Sequence, residues 1–188
     1  MRNTCATVFF LFLLFAGAGN VRAQEAGQVG VNLGYPLVGV TWHVTPTIAV
    51  RPEFNFSFGS GSSTSGSGVE GSEADAWGLN FGVSALFYLA EWDGVKGYLA
   101  PRVAFIRSNT ESLSTVSESR RETSGSGFDL AAMAGVQYPL NSRFTVFGEL
   151  GISYVNRHSE SNPIGTVSLE SDSWTLQPRT AIGLIVYF

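Results

Sequence analysis

The chain has 188 residues, 44% of them hydrophobic and 13% aromatic, with 11 basic side chains against 15 acidic ones. Lys96 is the single lysine, and no basic patch exists that would hold nucleic acid. Two isolated histidines, His43 and His158, and one cysteine, Cys5, make neither a metal-ligand spacing nor a disulfide framework.

Residues 1–23 read as a separate object. Arg2 supplies a positive start, residues 8–18 an apolar run, and Val21-Arg22-Ala23 a small residue before Gln24. That order predicts a secretory signal peptide cleaved after Ala23. As an uncleaved anchor the run is short of the ~20 residues that a spanning helix needs. Cys5 precedes the apolar run, so it is no lipoprotein acceptor, and it leaves with the signal. Residues 24–188 then form one domain. With Arg2 and Arg22 gone, its net charge is −6.

Strand signals follow one another from residue 29. Residues 29–34 and 37–44 form a first hairpin about Gly34-Tyr35-Pro36, and Thr45-Pro46-Thr47 turns the chain again. Residues 48–58 alternate with period two: Val50, Pro52, Phe54, Phe56 and Phe58 on one face, Arg51, Glu53, Asn55 and Ser57 on the other. Pro52 has no amide to give to a ladder, so a bulge or a local gap is expected there. Residues 59–72 are nearly all Gly and Ser, which predicts a mobile loop. Within them, Gly66 to Gly71 happens to match G-x-G-x-x-G. A dinucleotide loop needs a strand before it and a helix after it, and no helical period follows. No cofactor is expected.

The remaining strands are residues 77–89, 97–107, 128–140, 144–157 and 174–188, eight in all. Glu91-Trp92-Asp93-Gly94 and Asn141-Ser142-Arg143 are short turns, whereas residues 108–126 and 159–173 are long and polar. Residues 108–126 are expected to continue their hairpin as a two-stranded ribbon. Its free edges, with Leu113, Val116, Arg120 and Arg121, would make it the main interaction element.

After the first hairpin the connections run short, long, short, long, short, long. Transmembrane barrels have an even strand number, short periplasmic turns and longer extracellular loops. Trp77 and Phe87, Phe128 and Tyr138, and Phe144 and Tyr154 are each ten residues apart on the apolar face. Ten tilted steps rise about 25 Å, the height of a lipid-facing band with aromatic girdles at both edges. A soluble barrel would show the same alternation inside out, but its exterior would want more Lys and Glu than these polar faces supply.

With the apolar face outside, Arg51, Glu53, Arg102, Asp129, Glu149 and Arg179 point inward. Unpaired buried charge is expensive, so these six are expected to pair. They could line a permeation path or serve as acid and base, but in eight strands a compensated plug is the packing expected. No catalytic residue is assigned. His158-Ser159-Glu160-Ser161 holds the residue types of an esterase near the membrane edge, where a lipid A deacylase would work. Neighbours on a strand point to opposite faces, so His158 and Ser159 do not readily meet.

The last fifteen residues, WTLQPRTAIGLIVYF, present Trp174, Leu176, Pro178, Thr180, Ile182, Leu184, Val186 and Phe188 on one face. This final strand resembles the assembly signal of bacterial outer-membrane β-barrels, with Gly183 and Phe188 at matching positions; Ala181 and Val186 depart from it. Taken with the loop pattern, residues 24–188 resemble the small outer-membrane barrels of the OmpX and OmpA-barrel type. The resemblance implies an all-β, eight-stranded, antiparallel up-and-down barrel in the cell outer membrane. Its partners would be outer-membrane lipid, lipopolysaccharide and the barrel assembly machinery, and it would be a monomer. The role implied is structural or adhesive, with a narrow pore or a lipid A-modifying enzyme as alternatives.

Overall fold

The computed structural model describes residues 25–36, 38–63, 72–114, 119–163 and 169–188. The signal-peptide reading of residues 1–23 lies outside them. Eight strands form a closed antiparallel barrel in sequence order: β1 (Val29–Tyr35), β2 (Val38–Thr45), β3 (Ile48–Ser63), β4 (Ser72–Trp92), β5 (Val95–Ser114), β6 (Ser119–Pro139), β7 (Phe144–Pro163) and β8 (Leu169–Tyr187). β8 closes the ring on β1, from Gly30 opposite Tyr187 to Tyr35 opposite Ile182.

Period two decides which side each residue faces. The outward set, including Phe54, Phe81, Phe105, Leu130, Leu150 and Ile152, is apolar and exposed. The inward set includes Asn32, Arg51, Glu53, Ser84, Arg102, Asp129 and Glu149, all buried. A water-soluble protein has the opposite arrangement; this exterior suits hydrocarbon.

Three turns at one end are tight. Asp93 and Gly94 both have positive φ, 49° and 80°, as the two-residue turn between Trp92 and Val95 requires. The Asn141 side chain accepts hydrogen bonds from the amides of Arg143 and Phe144, both at 2.9 Å. Thr45 pairs directly with Ile48. We call this the turn end.

At the opposite end the strands run much farther than composition predicts. Residues 59–63 pair with 72–76, so much of the expected Gly/Ser loop is strand, and residues 64–71 lie outside the described ones. Residues 159–161 likewise pair with 169–171. Gly and Ser are poor strand formers alone, but here β4 supplies a ladder to residues 59–63, and β3 and β5 flank residues 72–76 on both sides. The extended strands make a six-stranded collar.

Among its described residues, the 108–126 ribbon therefore lacks the free edges expected of it over residues 108–114 and 121–126. β5 pairs with β4 and β6 out to Ser114, and β6 pairs with β7 from Arg121. The unpaired edges lie elsewhere. β2 accompanies β3 only to Phe54, and β1 accompanies β8 only to Ile182. Beyond those points β3 and β8 face each other across a notch where two strands are missing.

Prolines mark where ladders are interrupted. β3 and β4 pair without a break at Pro52, while β2 and β3 skip the pairs opposite Arg51 and Pro52. The gap expected at Pro52 thus falls on one side of its strand. The register shift on this pair is separate, between His43 and Thr45.

Candidate functional site

The barrel interior is layered. At the turn end, Leu86, Tyr88, Tyr98 and Met133 pack together, as do Phe147, Ile185 and Tyr187. His43 is buried among them, its Nε2 3.1 Å from the Tyr187 hydroxyl. These side chains form an apolar and aromatic floor.

Above it the six inward charges meet in one chain. Arg51 grips Glu149 with both terminal nitrogens, at 2.7 and 3.0 Å, and its Nε lies 3.3 Å from Glu53. Arg102 Nε donates to Glu53, and Arg102 Nη1 to Asp129 at 2.6 Å. Arg179 Nη1 donates to the same Asp129 oxygen at 2.9 Å. The connected order is Glu149, Arg51, Glu53, Arg102, Asp129, Arg179, alternating in sign. Alternation lets buried charges satisfy one another where isolated ones could not.

Neutral groups complete the chain, and the sequence reading did not assign them a role. The Tyr98 hydroxyl donates to Glu149 at 2.7 Å, Asn80 accepts from Arg102 at 2.8 Å, and the Ser153 hydroxyl donates to Asp129. The signal was available in parity: Tyr98 lies two pairs of residues from Arg102 on β5, and Ser153 likewise from Glu149 on β7. Gly82 is needed where Arg102 crosses β4, since a Cβ there would stand 2.9 Å from Arg102 Nη2 and 2.8 Å from the Ala104 Cβ.

Beyond the chain, the collar encloses a cavity of about 510 Å³ lined by residues that include Asn55, Ser57, Asn80, Ser108, Thr110 and Arg157. Its wall is built from small inward residues such as Gly59, Ala76, Gly78, Gly125 and Gly127. The charges of the collar are sorted by face. Glu73, Asp75, Glu111, Glu122, Glu160, Glu170 and Asp172 are all on the outward parity, whereas the inward parity carries Arg157 and Arg121 and no acid among the described residues.

The girdle residues sit on the outer face. Trp77, Phe87, Phe128, Tyr138 and Phe144 are exposed. Tyr154 is half-buried between Phe128 and Trp174, with ring centroids 6.2 and 6.3 Å away. Gly183 packs in the seam opposite Gly34, while Phe188 donates its amide to Val29 O at 3.1 Å and leaves its ring exposed.

His158 lies on the outer face of the collar. Its Nδ1 is 2.8 Å from Asp172 and its Nε2 3.5 Å from Glu160. Hydrogen bonds to Asp172 first and Glu160 second raise its pKa above the ordinary histidine value. Ser159 is on the opposite face, and the Ser161 hydroxyl is engaged by Thr123 at 3.3 Å. The geometry makes an ion cluster and assembles no nucleophile with its base. No cluster of three or more His, Cys, Asp or Glu side chains fit to hold a metal occurs among the described residues.

A solved structure shares the architecture. A major outer membrane protein from Thermus thermophilus superimposes with a TM-score of 0.60 at 13% identity, covering 86% of this chain and 98% of that one. The chain has the fold of an outer-membrane β-barrel. Acinetobacter baumannii CarO matches at a TM-score of 0.46 and 15% identity, over 87% of this chain and 98% of CarO. CarO2 of the same organism matches at 0.43 and 13%, over 86% of this chain and 97% of that one. No family model matches, and neither does any curated protein.

Proposed function

We propose that this chain is a non-enzymatic integral barrel of the outer membrane, closed to general solutes by its interior charge chain, which holds a polar collar above the cell surface. The observation that carries the reading is the inversion of faces: an apolar, aromatic-edged exterior around six inward charges that all pair with one another. In hydrocarbon every backbone polar group needs a protein partner, and the closed ring provides it except along the β3 and β8 edges at the notch. The turn end would face the periplasm and the collar the outside, matching the short and long connections of such barrels. The architectural likeness we draw is to the small-barrel type of OmpX and OmpA.

Outer-membrane lipid and lipopolysaccharide would surround the barrel, the assembly machinery would read Gly183 and Phe188, and the barrel would work as a monomer. Adhesion or partner capture would run through collar side chains or the open edges of β3 and β8, because the described residues of the β5–β6 ribbon are flanked by β4 and β7. A pore reading has against it the six-membered chain across the interior. Electrophoresis in SDS before and after boiling tests the barrel, which is expected to change mobility. Planar-bilayer recording tests the plug: large, steady conductance would overturn it.

A further inference from the structure

We infer that the notch between β3 and β8, with the cavity behind it, is a binding site for a single-chain amphiphile with an anionic head, a fatty carboxylate. The inference rests on the membrane reading above. Beyond Phe54 on β3 and Ile182 on β8 neither strand has a partner on this side. Each strand spacing is about 4.8 Å, so losing two strands leaves a real gap in the wall.

The β8 edge is suited to remaining open. Phe188 N donates toward β1, and amides alternate sides along a strand. Even-numbered residues of β8 therefore turn their amides to the notch. Pro178 is one of them and has no amide to leave unpaired.

The rim is apolar: Phe56, Phe58, Trp174 and Leu176 are all more than half exposed on the outer face. Behind the rim the medium changes. Residues 169–178 of β8 are exposed on both faces, and the cavity borders the other edge of the notch through Asn55, Ser57, Phe58 and Gly59 of β3. On the cavity side, the Arg157 side chain makes no hydrogen bond or ion pair among the described residues, and Arg179, half-buried on the inward face of β8, is bonded to Asp129. The Asn80 amide adds a neutral donor, and the collar acids all point away.

An acyl chain would lie in the apolar notch, its head held by Arg157 with Arg179 nearby. One unpartnered arginine matches one negative charge, and one gap matches one chain. Uncharged chains would lose the head contact, and short anions the chain contact.

The test uses the full barrel in zwitterionic-lipid nanodiscs with 11-bromoundecanoate, whose bromine quenches tryptophan. Saturable quenching is expected, mostly lost in Trp174→Phe. Arg157→Gln should weaken binding about tenfold or more, the scale of a lost hydrogen bond to a charged group. Ser108→Glu, which puts an acid on the inner wall, should weaken it too, while Glu111→Gln on the outer wall should not. Dodecanol and acetate should compete poorly. Equal competition by dodecanol, or unchanged affinity in both Arg157→Gln and Ser108→Glu, would overturn the proposal; tighter competition by dodecyl phosphate would overturn the carboxylate assignment. A barrel that is heat-modifiable but binds without regard to charge sinks this inference alone, whereas loss of heat-modifiability sinks the membrane reading beneath it.

Discussion

Arg51 and Glu149 meet through two parallel hydrogen bonds of 2.7 and 3.0 Å, with neither side chain more than 2% exposed. Such a fork is the strongest form of a side-chain ion pair. Its value shows only when one partner goes. Arg51→Ala strands Glu149, which keeps only the Tyr98 hydroxyl, and is expected to cost about 3–5 kcal/mol. Arg51→Met with Glu149→Leu removes both charges and should recover most of that loss. Denaturant unfolding in lipid gives the comparison; a double variant as unstable as the single one would show that the pair does not act as a unit.

Arg102 is the other junction, joining Glu53 to Asp129. Arg157 also faces inward but is exposed and touches no acid. Arg102→Ala is therefore expected to lower the temperature at which the barrel unfolds in SDS well below that of the parent. Arg157→Ala should leave it nearly unchanged. The reverse ranking would place the stabilising charges at the wrong height.

Phe188 carries little packing, with its ring exposed, and its amide makes one bond to Val29 O. Its removal should therefore affect the assembled barrel less than it affects assembly. Deletion of Phe188 is expected to lower the amount of folded barrel in the outer membrane while export persists. Normal membrane yield would mean that the final strand is not read as an assembly signal.

His158 supplies a pH dependence. Its folded pKa is raised by Asp172 and Glu160, so its contribution to stability is complete below the ordinary value near 6.5 and fades as pH rises through the folded value. The side chain is exposed and screened, so the effect belongs in a titration curve rather than a melting curve. The NMR titration of its ring should centre above 6.5, and Asp172→Asn should bring it down. An unshifted midpoint in the parent would remove Asp172 as its partner.

Much of the fold was legible because a membrane barrel writes two media onto alternate residues. In residues 48–58, Arg51 and Glu53 against Phe54 and Phe56 are enough to say which face is which. Pairing was not legible: Arg51 and Glu149 are 98 residues apart, and only the register of the whole ring brings them together. The collar was hidden for another reason. Residues 59–63 and 72–76 have the composition of a flexible loop, and the ladder that holds them comes from each other and from β5. The inner floor was not placed either, since Leu86, Tyr98 and Met133 point inward against the polar rule of their face. The notch was legible only as the shortness of the first hairpin, residues 29–34 and 37–44; that it opens between β3 and β8 depends on the closure of β8 on β1.

Lys96 sits beside the tight turn at Asp93-Gly94, opposite Glu91, and the chain has no other lysine. Side-chain amines are thus confined to one rim of the cylinder, and the collar carries its positive charge only as arginine and histidine. An amine-directed reagent that cannot cross the membrane should leave Lys96 of the native barrel unmodified on intact cells and reach it once the envelope is opened. Acylation of that one side chain, mapped apart from the chain's α-amine, then reports which way the molecule stands in the bilayer, without any engineered tag.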